Sequence, residues 1–362
     1  MPAAEAAGTG LYPLSLVTPP AKAKVMRRFI ARRLLLVPFL LFGMTVVTFS
    51  ITHFVPTDPV VAALGPHAAL NNAAYNSEKR KIGLDEPVPD QYFHYMDQLL
   101  HGDLGTSNAT QDAVATDLGN FFPATVELAI AALTIALLIG IPIGIVAAAI
   151  RGSPFEQFIK AFALIGVSTP AFVAAFIAYQ IFYLKLGWAG GPGALGILVT
   201  PPPRITGMVT VDALLTGNMA AFTSSLQHLA LPAIILGLLG AAYFSRDVRQ
   251  TMIEALESEA IRTARGKGLT AKVVFFRHAF RLSLTPTLSV TGLYAGELFA
   301  GAITVEAITG WPGVGQYLYN AAVKLDFPAV MGGTLVIGIA YVAINLIIDL
   351  LYVRADPRVR LK

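Results

Sequence analysis

The 362 residues predict an all-α polytopic membrane protein: six transmembrane helices, both termini cytosolic, an extracytoplasmic segment after the first helix and one long cytosolic loop. Three observations carry this expectation. Mean hydropathy is +0.64 and charged residues make up 13% of the chain, about half the share an ordinary soluble domain uses to cover its surface. Six apolar runs approach or reach the ~20 residues that cross a hydrocarbon core. The basic residues gather in a few loops instead of spreading, so the net charge of +4 does not point to a nucleic-acid partner. There is no cysteine, which removes disulfides, thiolate metal sites and cysteine nucleophiles.

Residues 1–26 are rich in Pro, Ala and Gly without an apolar period, and read as a mobile cytosolic tail. The first span, within residues 27–55, is the apolar run Leu34–Val55 behind Arg32 and Arg33. It is longer than the apolar region of a cleavable signal and has no small-residue cleavage site after it, so it is retained. Residues 56–122 form the extracytoplasmic segment. There Tyr92, Tyr95, Met96, Leu99 and Leu100 share one face of a short helix, while His94, Asp97 and His101 share the other at i, i+3, i+7. Such a trio is chemically able to hold a divalent metal. A solvated polar face has the same pattern, and no metal site is assigned.

Residues 123–353 form the core, with spans Pro123–Ile150, Phe162–Leu184, Leu226–Phe244, Leu288–Ile308 and Val330–Val353. Residues 354–362 are a cytosolic C-terminus. Pro142, between Gly140 and Gly144, predicts a kink in the second span that suits either a moving gate or static packing. Gln227 and His228 near the start of the fourth predict an outer end that is ragged or shielded by protein. Ionisable residues at membrane depth are costly and draw functional suspicion, here Glu127, Glu297, Glu306 and Asp349. Glu127, one turn inside the second span, and Glu306, near the outer end of the fifth, fit either a pathway role or contact with headgroup water. Glu297 lies deeper, among Gly292, Gly296 and Gly301, where small residues permit close helix approach. It lines a path or gate, or makes an internal hydrogen bond as a protonated carboxyl. Just outside the fifth span the GWPGVG turn, Gly310–Gly315, surrounds one large aromatic, Trp311.

With the N-terminus inside, 20 of the 26 Lys and Arg fall in cytosolic pieces; only Lys79, Arg80, Lys81, Lys185, Arg204 and Lys324 do not. The positive-inside rule therefore places both termini in the cytosol. Eight of the 20 lie between Arg246 and Arg281, in the loop before the fifth span. Topogenic charge explains their number but not the pattern among them. Ile253, Leu256, Ala260, Ile261 and Ala264 recur at three- and four-residue steps, the apolar stripe of a helix, and Gly266 and Gly268 stop it. A second amphipathic stretch follows, with Val273, Val274, Phe276, Ala279 and Phe280 among Lys272, Arg277 and Arg281. Basic amphipathic helices also lie on anionic lipid. Glu254, Glu257 and Glu259 at the start of the first helix oppose that placement, and a short small-residue stripe suits a groove on a cytosolic protein.

Five stretches in order resemble the integral membrane permeases of binding-protein-dependent ABC importers, in the oligopeptide/dipeptide/nickel family. They are RRLLLVPFLLFGMTVVTFSITHFVPTDP (Arg32–Pro59), IGLDEPVPDQYFHYMDQLLHGDLGTS (Ile82–Ser107), FPATVELAIAALTIALLIGIPIGIVAA (Phe122–Ala148), AIRTARGKGL (Ala260–Leu269) with RHAFRLSLTP behind it, and ITGWPGVGQYLYNAAVKLDFP (Ile308–Pro328) up to DPRVR. The resemblance implies a path formed with a second homologous permease, most simply as a heterodimer, two ATPase subunits on the cytosolic side that carry ATP and Mg, and an extracytoplasmic substrate-binding protein. It implies that the loop before the fifth span holds a coupling helix gripped by the ATPase. Aligned on Gly268, the residues Arg262, Thr263 and Ala264 stand where the general consensus has Glu-Ala-Ala, and the peptide-type branch is similar in this. An Arg is suited to bidentate pairing with an acidic groove residue. The resemblance also places Trp311, Pro312 and Gly313 toward the binding protein, with Trp311 equally suited to anchoring at the membrane interface.

The chain is expected not to be an enzyme and to bind no cofactor. No G-x-x-x-x-G-K-[ST] phosphate loop occurs; Gly266–Lys267 is followed by Gly268. A secondary transporter would show inverted repeats with broken helices and needs no docking loop. An intramembrane hydrolase needs a nucleophile with a base in the spans, and neither Gly-x-Ser-x-Gly nor a paired Asp lies at that depth. Peptides are the expected solute, with nickel chelates as the alternative within the same family, in the cytoplasmic (inner) membrane alongside lipid.

Overall fold

The computed structural model describes residues 22–54, 58–65 and 70–355. The mobile tail expected over residues 1–21 and the cytosolic C-terminus expected over 356–362 lie outside the described residues, as does the side chain of Asp349. Helix α1 (Lys22–Phe54) already includes the last five residues of the segment read as a tail. Short helices α2 (Pro59–Leu64), α3 (Asn72–Lys81) and α4 (Val88–Leu100) follow. Then come α5 (Val114–Ala149), α6 (Pro154–Ser168), α7 (Ala171–Ala178, continued as a π-helix over Tyr179–Lys185) and α8 (Val209–Leu215). The last part holds α9 (Met219–Glu257), α10 (Glu259–Gly266), α11 (Ala271–Val273), a π-helical Val274–Ala279, α12 (Phe280–Thr309), α13 (Val314–Val323) and α14 (Phe327–Ala355).

Among the described residues, five helices are long and apolar enough to cross a membrane. The sixth expected span is the exception. Phe162–Leu184 straddles a break at Thr169–Pro170, where α6 and α7 meet at 100°. Hydropathy reports only that this stretch is apolar; Pro170 withdraws a backbone donor and holds Thr169 extended (φ −87°, ψ 119°), which turns the chain.

Helices α5 and α9 form the centre of the bundle. Ala132, Ala136, Gly140, Gly144 and Ala148 recur every fourth residue on α5, facing Ala233, Gly237, Ala241 and Ser245 on α9, and all nine are buried. Lipid is as apolar as a leucine, so spans associate by close packing, which small residues allow. A Cβ on Gly140 would stand 2.8 Å from the Ala241 carbonyl oxygen, and one on Gly144 2.8 Å from that of Ser245. These glycines are therefore packing contacts, and Pro142 lies exposed between them on a helix that continues through it. The fourth span, whose outer end is expected to be ragged or shielded by protein, is the most enclosed of the candidate spans, with 67% of its most apolar window buried. His228 Nδ1 meets the Ser224 carbonyl at 2.7 Å, and Gln227 O accepts from Gly190 N at 3.2 Å.

Around this pair, α12 packs on α9, α5, α7 and α14, and α1 lies against α14. Helix α4 docks on α1, with Tyr92 edge-on to Phe49 and its hydroxyl 2.9 Å from Thr45 Oγ1. Its His/Asp trio is dispersed in local contacts, His94 to Glu86 at 2.8 Å and His101 to the Asp97 carbonyl at 2.8 Å. No group of three or more metal-ligand residues gathers among the described residues.

Candidate functional site

The bundle has two ends that matter, one carrying α10 and the other carrying Trp311. At the first, the expected single amphipathic helix is two. Ser258 is extended (φ −70°, ψ 153°) and ends α9, and α10 begins at Glu259. Ile253 and Leu256 therefore belong to the end of a span-length helix. Of the apolar stripe, Ile253, Ile261 and Ala264 are buried inside this chain, in one cluster with Ala148, Val248, Met252, Ala255, Val274 and Ala279. Ala260 is exposed. Ile261 and Ala264 thus fasten α10 to its own bundle, a correction to their reading as docking residues, while Ala260 stays accessible. At 100° per residue the opposite face carries Glu259, Arg262, Thr263 and Gly266, all exposed. Arg262 donates to Glu259 Oε1 at 2.8 Å one turn away, a solvent-exposed pair that another partner can replace at little cost.

Helix α10 ends in a Schellman motif. Leu269 N donates to Ala264 O at 3.4 Å and Gly268 N to Arg265 O at 2.9 Å, with Gly268 left-handed at φ 75°. A Cβ on Gly268 would meet nothing within 4 Å, so backbone conformation alone requires the glycine. Gly268→Ala is expected to loosen this turn by ~1–2 kcal/mol and Gly268→Asn by less, read as faster hydrogen exchange at the amides of residues 267–269. Equal exchange in both variants and wild type would mean that the turn is not held as described.

At the other end the GWPGVG turn is folded into the core. The Trp311 ring is 1% exposed and Nε1 donates to the Ala124 carbonyl at 2.9 Å. Gly313 is also buried and Pro312 partly so. Trp311 and Gly313 therefore have no outward surface to offer a binding protein or lipid. The exposed tryptophan is Trp188, at 74%.

Glu306, fully buried, explains the two glycines that follow. Its Oε2 accepts from Gly315 N at 2.7 Å, and a side chain on Gly313 would collide with the carboxylate. Thr125 Oγ1 accepts from Val314 N at 2.8 Å. Glu306 and Thr125 together receive the first amides of α13, the groups a helix leaves unpaired. Glu127 is likewise buried. Helix α5 starts nine residues before the expected Pro123, so Glu127 lies several turns in, and its Oε1 accepts from Thr210 N at 2.9 Å. Neither carboxylate reaches headgroup water; each pins a neighbouring helix. Glu297 is different, being exposed within a candidate span, beside the buried Tyr294 whose hydroxyl donates to Leu236 O at 3.1 Å.

Among the buried carboxylates near this end that the sequence does not single out are Asp326 and Asp212. Asp326 accepts from Ser107 Oγ at 2.5 Å and Ala109 N at 3.0 Å, closing the segment after α4 onto the start of α14. Asp212 accepts from Ile205 N, Thr206 N, Thr206 Oγ1 and Gly207 N at 2.7–3.1 Å. Burial pushes the Asp212 carboxyl up, but the amide and hydroxyl of Thr206 with the amides of Ile205 and Gly207 outweigh it and hold it below the usual carboxylate range. A depressed folded value stabilises above the unfolded value of ~3.9 and is lost as pH falls through the folded one. Proteolysis within residues 204–212 is therefore expected to stay slow at neutral pH and to accelerate below pH ~4, and Asp212→Asn to be fast throughout. A flat pH profile in wild type would contradict it.

A bundle of span-length apolar helices defines a polytopic membrane protein. The chain belongs to the family of binding-protein-dependent transport system inner membrane components, whose description matches residues 140–361, with the N-terminal region of such components matching residues 26–129. It is thus a multi-pass permease subunit of an ABC importer. It is 41% identical over 317 residues to the probable D,D-dipeptide transport system permease protein DdpB of Escherichia coli K12, covering 88% of this chain and 93% of that one. It is 38% identical over 336 residues to the di/tripeptide transport system permease protein DppB of Pseudomonas aeruginosa, covering 92% and 99%. A solved methionine ABC transporter, MetNI in inward-facing conformations, aligns at a TM-score of 0.46 with 15% identity over 64% of this chain and 90% of that one.

Proposed function

We propose that this chain forms half of a translocation path for peptides across the cytoplasmic membrane, driven by ATP hydrolysis on partner subunits. A second, homologous permease supplies the other half, an extracytoplasmic binding protein delivers the solute, and two ATPase subunits grip α10 from the cytosol. Both termini then lie in the cytosol, on the same side as α10. The relatives named as dipeptide and di/tripeptide permeases favour peptides over nickel chelates.

The observation that carries this reading is the division of labour on α10. Ile261 and Ala264 anchor the helix to α9 and to the segment leading into α12, while Glu259, Arg262, Thr263 and Gly266 face outward. A push on the outer face is thereby delivered to two spans. Glu297, a carboxylate exposed at membrane depth, is proposed to face the path, where water or a partner helix relieves the cost of its charge.

The test is purification of the tagged chain from membranes, followed by uptake in proteoliposomes. Co-purification of an ATPase pair and ATP-dependent uptake of a labelled dipeptide with its binding protein are expected, reduced in Glu297→Gln. Uptake driven by an ion gradient without ATP would overturn the mechanism. ATP-driven uptake of a nickel chelate but of no peptide would overturn the substrate.

A further inference from the structure

Beside the anchorage of α10, an ion pair between a buried carboxylate and a partly exposed guanidinium ties α9 to α6. Glu156 lies in the first turn of α6, where Ser153 Oγ accepts its amide at 3.1 Å. Its side chain is almost fully enclosed. Oε2 accepts from Gly152 N at 2.6 Å; Oε1 accepts from Arg249 Nε at 2.7 Å and from Arg249 Nη2, with Lys160 Nζ at 3.5 Å. The guanidinium approaches with two N–H groups, a geometry that fixes direction as well as distance. A second pair, from Arg151 in the connection before α6 to Glu257 at 2.7 Å, is exposed and reaches the last residue of α9.

Arg249 is adjacent in sequence to Val248, and Val248 with Met252, Ile253 and Ala255 forms the bed on which Ile261 and Ala264 of α10 rest. One short stretch of α9 therefore holds α10 with some side chains and α6 with the next. Farther along, Gly166 of α6 lies so close to Ala242 of α9 that a Cβ would not fit. Helix α6 is thus fastened to α9 near both of its ends. Beyond Pro170 the chain turns by 100°, and α7 packs on α12, with Ala171 against Gly301, as well as on α9.

We infer that Glu156 and Arg249 are positioning residues for transport, the joint through which a displacement of α10 is passed by α9 into α6, with Thr169–Pro170 as the hinge where this unit meets α7 and α12. The inference rests on the coupling proposed at α10. Replacing both partners by uncharged groups of similar size leaves neither charge without the other, which separates holding the fold from passing on a movement.

The test uses the reconstituted complex, first showing that wild type couples binding-protein-dependent ATP hydrolysis to dipeptide uptake; failure at that step would refute the coupling reading itself. The double variant Glu156→Gln/Arg249→Met is then expected to assemble and hydrolyse ATP, with dipeptide transported per ATP reduced about tenfold, within the usual range of coupling between sites. Arg249→Lys, which keeps the charge and loses the two-pronged geometry, is expected to fall between. An unchanged transport-to-ATP ratio in the double variant would overturn the inference. Should that variant not assemble, the ratio in Arg249→Lys decides, a fall supporting the joint and a wild-type value refuting it.

Discussion

Replacing Trp311 by alanine is expected to destabilise the protein by ~3–5 kcal/mol, the cost of emptying a buried aromatic site. The ring is among the largest fully buried side chains, packed with Ala124, Leu128, Val305 and Leu298. Its hydrogen bond to the Ala124 carbonyl joins the turn after α12 to α5. Trp311→Phe retains most of the volume and gives up the bond, so ~1 kcal/mol is expected. Thermal unfolding in detergent orders the three proteins. The two tryptophans allow a separate check. In Trp188→Phe, the remaining emission from Trp311 should resist an aqueous quencher. A Trp311→Ala protein that melts with wild type would place the ring on the surface, where the sequence reading had put it.

The second large effect belongs to the central seam. Gly140→Ala is expected to cost ~1–3 kcal/mol by overpacking, because its Cβ would lie 2.7 Å from Phe244 Cβ and 2.9 Å from Ala241 Cα as well as against the carbonyl. Backbone cannot rotate aside as a side chain does, so relief requires α5 and α9 to separate along their length. Gly144→Ala meets Val248 Cβ at 2.7 Å and should behave alike. Gly43→Ala, with nothing within 4 Å, is the control and is expected to be neutral. Similar melting temperatures for Gly140→Ala and Gly43→Ala would mean that the two helices are not in contact there.

What the sequence made legible follows from what each signal measures. Hydropathy counts apolar residues, so five spans were found, but it is blind to direction, and the right-angled break between α6 and α7 was missed although Pro170 marked it. Gly140 and Gly144 of α5 stand out in the sequence, yet only the four-residue recurrence they share with Ala132, Ala136 and Ala148, matched on α9, distinguishes a packing seam from a flexible gate. Periodicity across Ile253 to Ala264 suggested one helix because Ser258 interrupts the backbone without disturbing the apolar spacing. Serine followed by glutamate, a common helix start, was the available clue. The stripe was real, but a stripe does not say whether it faces a partner or its own chain.

Buried charge was the least legible feature. Glu306, Glu127, Glu156 and Asp326 each find donors that the fold brings from elsewhere, Glu127 from Thr210 and Asp326 from Ser107. A carboxylate in an apolar run therefore looks the same whether it lines a path or pins a helix. Burial separates the cases: it leaves Glu297 exposed and so the one of the three span carboxylates Glu127, Glu297 and Glu306 that is open to a partner or solute.

The most direct measurement exploits the absence of cysteine, which makes single-cysteine photo-crosslinking clean. Probes at Thr263 and at Ile261, positions on opposite faces of α10, are compared in native membranes. Thr263→Cys is expected to capture an ATPase subunit in a yield that changes with nucleotide, while Ile261→Cys returns only bonds within this chain. Capture of lipid alone from Thr263, or of the ATPase from Ile261 in its place, would contradict the orientation of α10 and the transmission built on it.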